Sequence, residues 1–317
     1  MKKSACPAGC SAEPGLFLDC GDFDILKCAI CSLYYMSPFP ENAETRIIYE
    51  SSKTFSKAIP NQNSGHRLFP FFEKLYARYG IDNRFIVKLC RKYTRKVGSV
   101  LDVGCSTGKL MAAFADSFPG AVIHGVDIDP DAKIKAPDRL RENIFIEDFL
   151  RFNGKYDIVV FKFVIEHLRN PAEYLKKAYG LLNPGGIVLI ATPDITSPKA
   201  LQLKQDWDLI REKNRDIGHI VWFDKKGLYR VAEKCNFKVS HWQRRGEVFY
   251  SLPHWLQNLL VNLLGRDVYR NRFIQSYPLR MTWALAFDCL FAEVFGYGES
   301  MYSVLSKPAN APVAFSG

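Results

Sequence analysis

Four cysteines, three aspartates and a Glu-His pair stand at spacings that can do chemistry. Cys6 and Cys10 form a C-x3-C pair, and Cys28 and Cys31 form a C-x2-C pair after a seventeen-residue gap. Four thiolates on two such knuckles make a closed tetrahedral zinc site, which folds a segment too small for its own core. With no coordination position left open, that ion would be structural. Cys20, between the knuckles, competes with Cys10 as the fourth ligand. Further along, "SVLDVGCSTGKL" runs from an apolar segment through a glycine loop into a helix-forming stretch. Asp102 precedes that loop, Asp127 closes "VIHGVD", and Asp148 follows "IFIE". Each carboxylate is expected at the end of a strand. His167, beside Glu166, and His219 are the groups whose ordinary pKa lets them take a proton at neutral pH. Either histidine could equally be a structural residue bonded to backbone.

The glycine loop has several competing identities. A phosphate-binding P-loop needs four residues between its first glycine and Gly-Lys, and then Ser or Thr. Here three residues separate Gly104 from Gly108, and Leu110 follows Lys109. The dinucleotide fingerprint needs glycines where Ser106 and Lys109 stand. A G-x-S-x-G nucleophile elbow centred on Ser106 needs earlier strands and a later acid–histidine pair. A cysteine-rich and helix-forming region precedes this loop instead. What remains is D-x-G-x-x-x-G ending a first strand. Its two glycines let backbone approach a ligand with no Cβ in the way.

The elements that position these residues follow a strand–helix alternation between 98 and 243. Strands are expected at Ser99–Val103, Ala121–Asp127, Ile144–Glu147, Tyr156–Phe161, Gly186–Ala191 and Phe237–Trp242, with a final one at Met301–Leu305. Asp157–Phe161 and Ile187–Ile190 lack polar alternation, as strands covered on both faces do. Between them, Asn170, Pro171 and Glu173 spell a helix start. Leu175, Ala178 and Leu182 continue one face of that helix, and the Asn-Pro-Gly-Gly run ending at Gly186 stops it. The pattern predicts an α/β fold with a mostly parallel sheet. Four regions differ in texture: 1–40 as a zinc-ribbon-like module, 41–97 as a helical lead-in, 98–243 as the core, and 244–317 as a helical insertion with the last strand.

The glycine loop with its acidic second-strand end resembles motif I and the acidic loop of class I S-adenosylmethionine-dependent methyltransferases. "YDIVVFKFVIEHLRNPAEYLKKAYGLLNPGGIVLIATPD" and "GHIVWFDKKGLYRVAEKCNFKV" resemble the subgroup with an E-H-[LV]-x-[DN]-P signature. "DFDILKCAICSLYYMSPFP" is similar to the zinc-ribbon lead-in of that subgroup's bacterial sugar and natural-product enzymes. Three departures are Gly9-Cys10 in the first knuckle, Ser106 in place of a frequent third glycine, and Asn236 where a glycine is usual. The resemblance implies a Rossmann-like seven-stranded sheet, mostly parallel with its last strand antiparallel, carrying an N-terminal zinc ribbon and helical insertions. It implies S-adenosylmethionine as cofactor, held by Asp102, Gly104, Cys105, Gly108, Asp127, Ile128, Asp148, Phe149 and Lys162. Asp102 would meet the methionine ammonium, Asp127 the ribose hydroxyls, Ile128 the adenine face and Asp148 the adenine amino group. His167, oriented by Glu166, or His219 would take the proton of a hydroxyl acceptor. Trp207, Trp222 and Phe223 would wall that acceptor in as part of a lid over 194–225.

The implied reaction is O-methylation of a small molecule, with a sugar or glycan-related hydroxyl as acceptor. A carbon of a nucleotide-linked sugar is the alternative acceptor. A rival of another class is a nucleic-acid-binding ribbon on a methyltransferase-like scaffold. The first forty residues are poor in basic side chains and lack aromatic–basic interleaving, which disfavours nucleic acid. The net charge of +10 favours anionic partners. The beginning of the chain lacks a signal-like apolar run, and no stretch reaches spanning length, so a reducing cytoplasmic setting is expected. There, nine cysteines point to metal or core rather than disulfides. In 244–300, Leu256, Leu259, Leu260, Leu263 and Leu264 mark an amphipathic helix, followed by Arg266, Arg270 and Arg272. It would cap the core, form a homodimer contact, or touch a membrane surface or lipid-linked substrate.

Overall fold

The computed structural model describes residues 4–39, 81–94, 96–207, 209–210, 218–245 and 298–309. The helix expected around Leu256–Leu264, its arginines and most of the 41–97 lead-in lie outside those residues.

The doubly apolar runs form the middle of a seven-stranded sheet. In chain order its strands are β4 (Ser99–Val103), β5 (Val122–Asp127), β6 (Ile144–Ile146), β7 (Tyr156–Lys162), β8 (Leu182–Pro193), β10 (Lys238–Arg245) and β11 (Ser300–Ser306). Their spatial order is β10-β11-β8-β7-β4-β5-β6. The five from β8 to β6 run parallel, whereas β11 is antiparallel to both its neighbours. Every strand read from the sequence is present, most within a residue or two at each end. β8 begins earlier than expected, because Leu182 already pairs with Tyr156 before the Asn-Pro-Gly-Gly run, where Gly185 has φ +76, breaks the register ahead of Ile187.

Helices cover both faces. α1 (Ile81–Tyr93), α2 (Lys109–Ser117) and α3 (Asp131–Lys135) belong to one side, where Ile86, Cys90, Met111 and Phe114 pack with Val100 and Ile158. On the other side lie α4 (Pro171–Leu181) and, after the short α5 (Pro198–Leu203), α6 (Lys225–Lys234), with Leu175, Ala178, Leu228 and Val231 against Val159 and Phe161. α4 starts as its sequence dictates. Asn170 Oδ1 accepts the Glu173 N–H at 3.4 Å, and Asn170 Nδ2 donates to Glu173 Oε2 at 3.2 Å. At the end of α6, Asn236 has φ +64, the left-handed conformation that explains why glycine is usual there and why Asn can replace it.

A second, four-stranded antiparallel sheet is built from β1 (Gly15–Asp19), β2 (Asp24–Lys27), β3 (Tyr34–Ser37) and β9 (Val221–Trp222). Its last strand comes from the segment just before α6, far along the sequence from the other three, so the N-terminal segment is not a detached bead. Cys28, Cys31, Leu33 and Tyr35 share one buried cluster with Val159, Leu228 and Val231. On α6, Arg230 donates to the Ile30 carbonyl, and Lys234 Nζ donates to Ala8 O at 2.8 Å. Among the described residues no helix is long and apolar enough to cross a membrane.

Candidate active site

The parallel strands deliver their carboxyl ends to one edge, where ligands of open α/β sheets bind. β4 ends in the glycine loop, with Gly104 at φ +68, Ser106 at φ +47 and Gly108 at φ +65. A Cβ on Gly104 would stand 2.6 Å from Val164 Cγ2, so both its backbone angle and its surroundings require glycine. The loop is clasped to the next strand by Asp127. Its Oδ2 accepts the Ser106 N–H at 2.7 Å, and its Oδ1 accepts the Asp129 N–H at 2.9 Å. Each oxygen keeps a lone pair for a further donor. Burial raises the Asp127 carboxyl, while these two N–H groups hold it back down.

Asp102, the penultimate residue of β4, is buried, and its carboxyl is pushed up to about 7 by loss of hydration. The Lys162 ammonium opposes that rise and the Asp127 carboxylate adds to it. Lys162 ends β7 and donates to Asn83 Oδ1 of α1 at 2.6 Å. Asp148 follows β6 and accepts the Leu150 N–H at 2.9 Å, and Ile128 is partly exposed. Three carboxylates therefore do stand at successive strand ends.

Two residues expected among the cofactor contacts, Phe149 and Cys105, are buried in the core. Phe149 is buried, edge-on to Phe161 at 5.4 Å and stacked on Tyr174 at 5.9 Å, because its ring is worth more in the core. The Cys105 side chain packs inward beneath Gly125 and Met111, and burial pushes its thiol well up. The chemistry of what remains suits a nucleoside carrying a charged amino-acid tail. Asp102 offers a buried anion for an ammonium, and Asp127 offers acceptor positions for vicinal hydroxyls.

The acceptor side is organised differently from expectation. A 3-10 turn over Ile165–His167 follows β7 and places Glu166 and His167 beside His219. Glu166 does not orient His167 by a hydrogen bond. Its Oε2 accepts from Thr192 Oγ1 of β8 at 3.0 Å, and its Oε1 lies 4.0 Å from His219 Nε2. His167 Nδ1 meets the Gly218 carbonyl at 2.9 Å, and His219 Nδ1 meets the Leu209 carbonyl at 3.1 Å. A carbonyl only accepts, so both Nδ1 atoms carry the proton and both Nε2 lone pairs are bare. The rings lie 4.6 Å apart. Burial drives Glu166 up to about 8, His167 down to about 4 and His219 well below its usual value. His167 is thus a weaker base than its residue type suggested.

Trp207, Trp222 and Phe223 form no wall toward solvent. All three are fully buried, with Trp207 and Trp222 packed against Ile25 and Tyr34 of the small sheet, because large aromatic surfaces gain most there. Cys20 sits in that same cluster, away from the other cysteines. Cys6, Cys10, Cys28 and Cys31 do converge, with all four sulfurs within 4.8 Å of one another and Cys6 Sγ 3.6 Å from Cys31 Sγ. The Cys31 hydrogen bond to its sulfur is the main reason that the Cys6 thiol is lowered to about 5.

Sequence reasoning missed Thr192, the partner of Glu166, and Phe163, a bulky residue held at φ +54 immediately after β7. No local signal marks either. Thr192 reads as one more strand residue, and a positive φ is legible only where glycine or asparagine advertises it.

A family described as "Methyltransferase domain" matches residues 73–241, more than half of the chain. A ubiquinone biosynthesis O-methyltransferase of Glaesserella parasuis is 32% identical over 31% of this chain and 46% of its own length. A trans-aconitate 2-methyltransferase of Escherichia coli is 26% identical over 64% of this chain and 88% of that one. The chain spans under half the length of the first of these relatives. Among solved structures, a SAM-dependent methyltransferase from Archaeoglobus fulgidus aligns at a TM-score of 0.46 with 14% identity, over 75% of this chain and all of that one.

Proposed function

The chain belongs to the methyltransferase-domain family, and from that premise we propose that it methylates a hydroxyl of a small molecule with S-adenosylmethionine. The observation that carries the reading is the arrangement of Asp102 and Asp127 around the glycine loop. Asp127 would accept the ribose hydroxyls while still bridging to Ser106, and Asp102 would pair with the methionine ammonium. When bound, the cofactor supplies an electrophilic methyl group on a sulfonium, and the protein's contribution is alignment and exclusion of water. The acceptor hydroxyl would rest against Glu166, His167 and His219, at the same strand ends. Calorimetric titration with the demethylated cofactor tests this directly. Asp127→Ala should lose about 2–3 kcal/mol of binding, the worth of a charge-assisted pair of hydrogen bonds. Undiminished affinity in the folded variant rejects the ribose assignment.

The acceptor class rests on motif resemblance alone, since neither relative above is named for a sugar. A sugar or glycan-related hydroxyl remains the acceptor to screen first, by transfer of an isotopically labelled methyl group.

We further propose that Cys6, Cys10, Cys28 and Cys31 hold a structural zinc ion. A ZnS4 tetrahedron with 2.3 Å bonds has sulfurs roughly 3.8 Å apart, close to the Cys6–Cys31 separation of 3.6 Å. The Lys234 ammonium, 3.5 Å from Cys10 Sγ, offsets part of the cluster's negative charge. Elemental analysis should return about one such ion per chain, lost on replacing Cys28 and Cys31 together. Metal-free wild-type protein that resists chelators excludes the ribbon reading.

A further inference from the structure

A second group of side chains has the composition and support of a metal site, and it contains no sulfur. One ligand atom from each of Glu166, His167 and His219 lies within 4.8 Å of the others. We propose that these three residues bind a divalent transition-metal ion through Glu166 Oε1 and the two imidazole Nε2 atoms.

Three observations carry the assignment. The first is the donor set, two imidazoles and one carboxylate, which suits first-row divalent ions and leaves positions open to a further ligand. The second is the outer shell. A metal-bound histidine donates its remaining N–H to a carbonyl or carboxylate, which fixes ring and tautomer. Both histidines already do this, His167 to the Gly218 carbonyl and His219 to the Leu209 carbonyl. Thr192 Oγ1 supports the carboxylate in the same way, by donating to Oε2. Every ligand is therefore held from behind by a group that is not itself a ligand. The third is an orphaned acceptor. Glu166 is wholly buried, yet its Oε1 has no hydrogen-bond partner and faces His219 Nε2 at 4.0 Å.

With Glu166 ionised, the two imidazole lone pairs and its Oε1 are all acceptors and do not satisfy one another. A cation resolves that mismatch. Bonds of 2.0–2.2 Å place ligand atoms roughly 3.0–3.5 Å apart, so each need close by only about an ångström. Peptide bonding already ties the two segments together, since the Ile220 N–H donates to Glu166 O at 3.0 Å.

The inference rests on this geometry and not on the methyl-transfer reading, and its test needs no cofactor or acceptor. Full-length protein with its cysteine-bound metal in place is titrated with Co2+ and followed by visible absorption. One additional Co2+ per chain should bind without the intense near-ultraviolet thiolate band that marks cobalt at cysteines. Glu166→Gln and His219→Gln should each weaken that binding by about a hundredfold or more. Thr192→Val, which only withdraws support from the carboxylate, should weaken it by about 10–100-fold. Thermal unfolding of the same samples shows which variants remain folded, and Thr192→Val keeps the test open if the others do not. Absence of a sulfur-free cobalt spectrum in wild-type protein overturns the proposal. So does unchanged uptake in folded Glu166→Gln or Thr192→Val.

Discussion

Met36, in the N-terminal sheet, donates its backbone N–H to the carbonyl of Ile220 at 2.9 Å, one residue beyond His219. The next two residues of that segment pair with Tyr34 and Tyr35 as strand β9. The small sheet therefore holds one wall of the candidate acceptor site. Removing its knuckle by Cys28→Ser with Cys31→Ser should loosen His219 while leaving the glycine loop in place. The expected outcome is cofactor affinity within about threefold of wild type, with methyl transfer reduced by about tenfold or more. Single-turnover transfer at saturating cofactor, beside calorimetry, measures both. Equal losses in the two would mean that the sheet supports the whole fold rather than this wall.

If Asp102 pairs with the cofactor's ammonium as proposed, cofactor binding should depend on pH. Its carboxyl, raised to about 7 in the free protein by burial, is increasingly neutral below that value and cannot hold an ammonium. Affinity for the demethylated cofactor should fall by up to about tenfold per pH unit below 7. Asp102→Asn should bind weakly at every pH with that slope removed. For stability the sign is opposite. A carboxyl raised on folding favours the folded state fully only below 3.8, and that contribution is lost as pH climbs to about 7. The cofactor-free Asp102→Asn variant should accordingly unfold at a higher temperature than wild type at pH 8.

Gly104→Ala faces two separate penalties. The φ of +68 costs about 1–2 kcal/mol for an L-residue, and the new Cβ meets Val164 Cγ2. Adding Val164→Ala should restore the steric part and leave the backbone part. Denaturant unfolding of the single and double variants separates them, and complete recovery in the double variant would assign the whole effect to the clash.

Asn236→Gly should stabilise the end of α6, because glycine adopts φ +64 without a Cβ penalty. A rise of about 0.5–1 kcal/mol in unfolding free energy is expected from chemical denaturation. No gain would mean that the asparagine side chain offsets the strain locally.

The sheet was legible because its strands are apolar on both faces and its turns are punctuated by glycine and proline. Asp157–Phe161 could be nothing but a covered strand, and Asn170-Pro171 nothing but a helix start. The glycine loop and the strand-end acids were legible for the same reason, since spacing along one strand and its turn fixes them locally. The four converging cysteines, too, were marked by their own intervals. What the sequence could not decide were contacts between segments far apart in the chain. The pairing of β3 with β9 joins Tyr35 to Val221, and no local pattern announces it. Whether Phe149, Trp207 and Trp222 face a ligand or the core depends on which surface lies opposite, and the fold gave each an apolar one. Glu166 found its hydrogen-bond partner in Thr192 of β8 and came to lie beside His219, two residues far along the chain that no local pattern ties to it. Local spacing determined the glycine loop. Only the tertiary structure, by burial and by long-range pairing, set the acceptor side and the proton affinities of its groups.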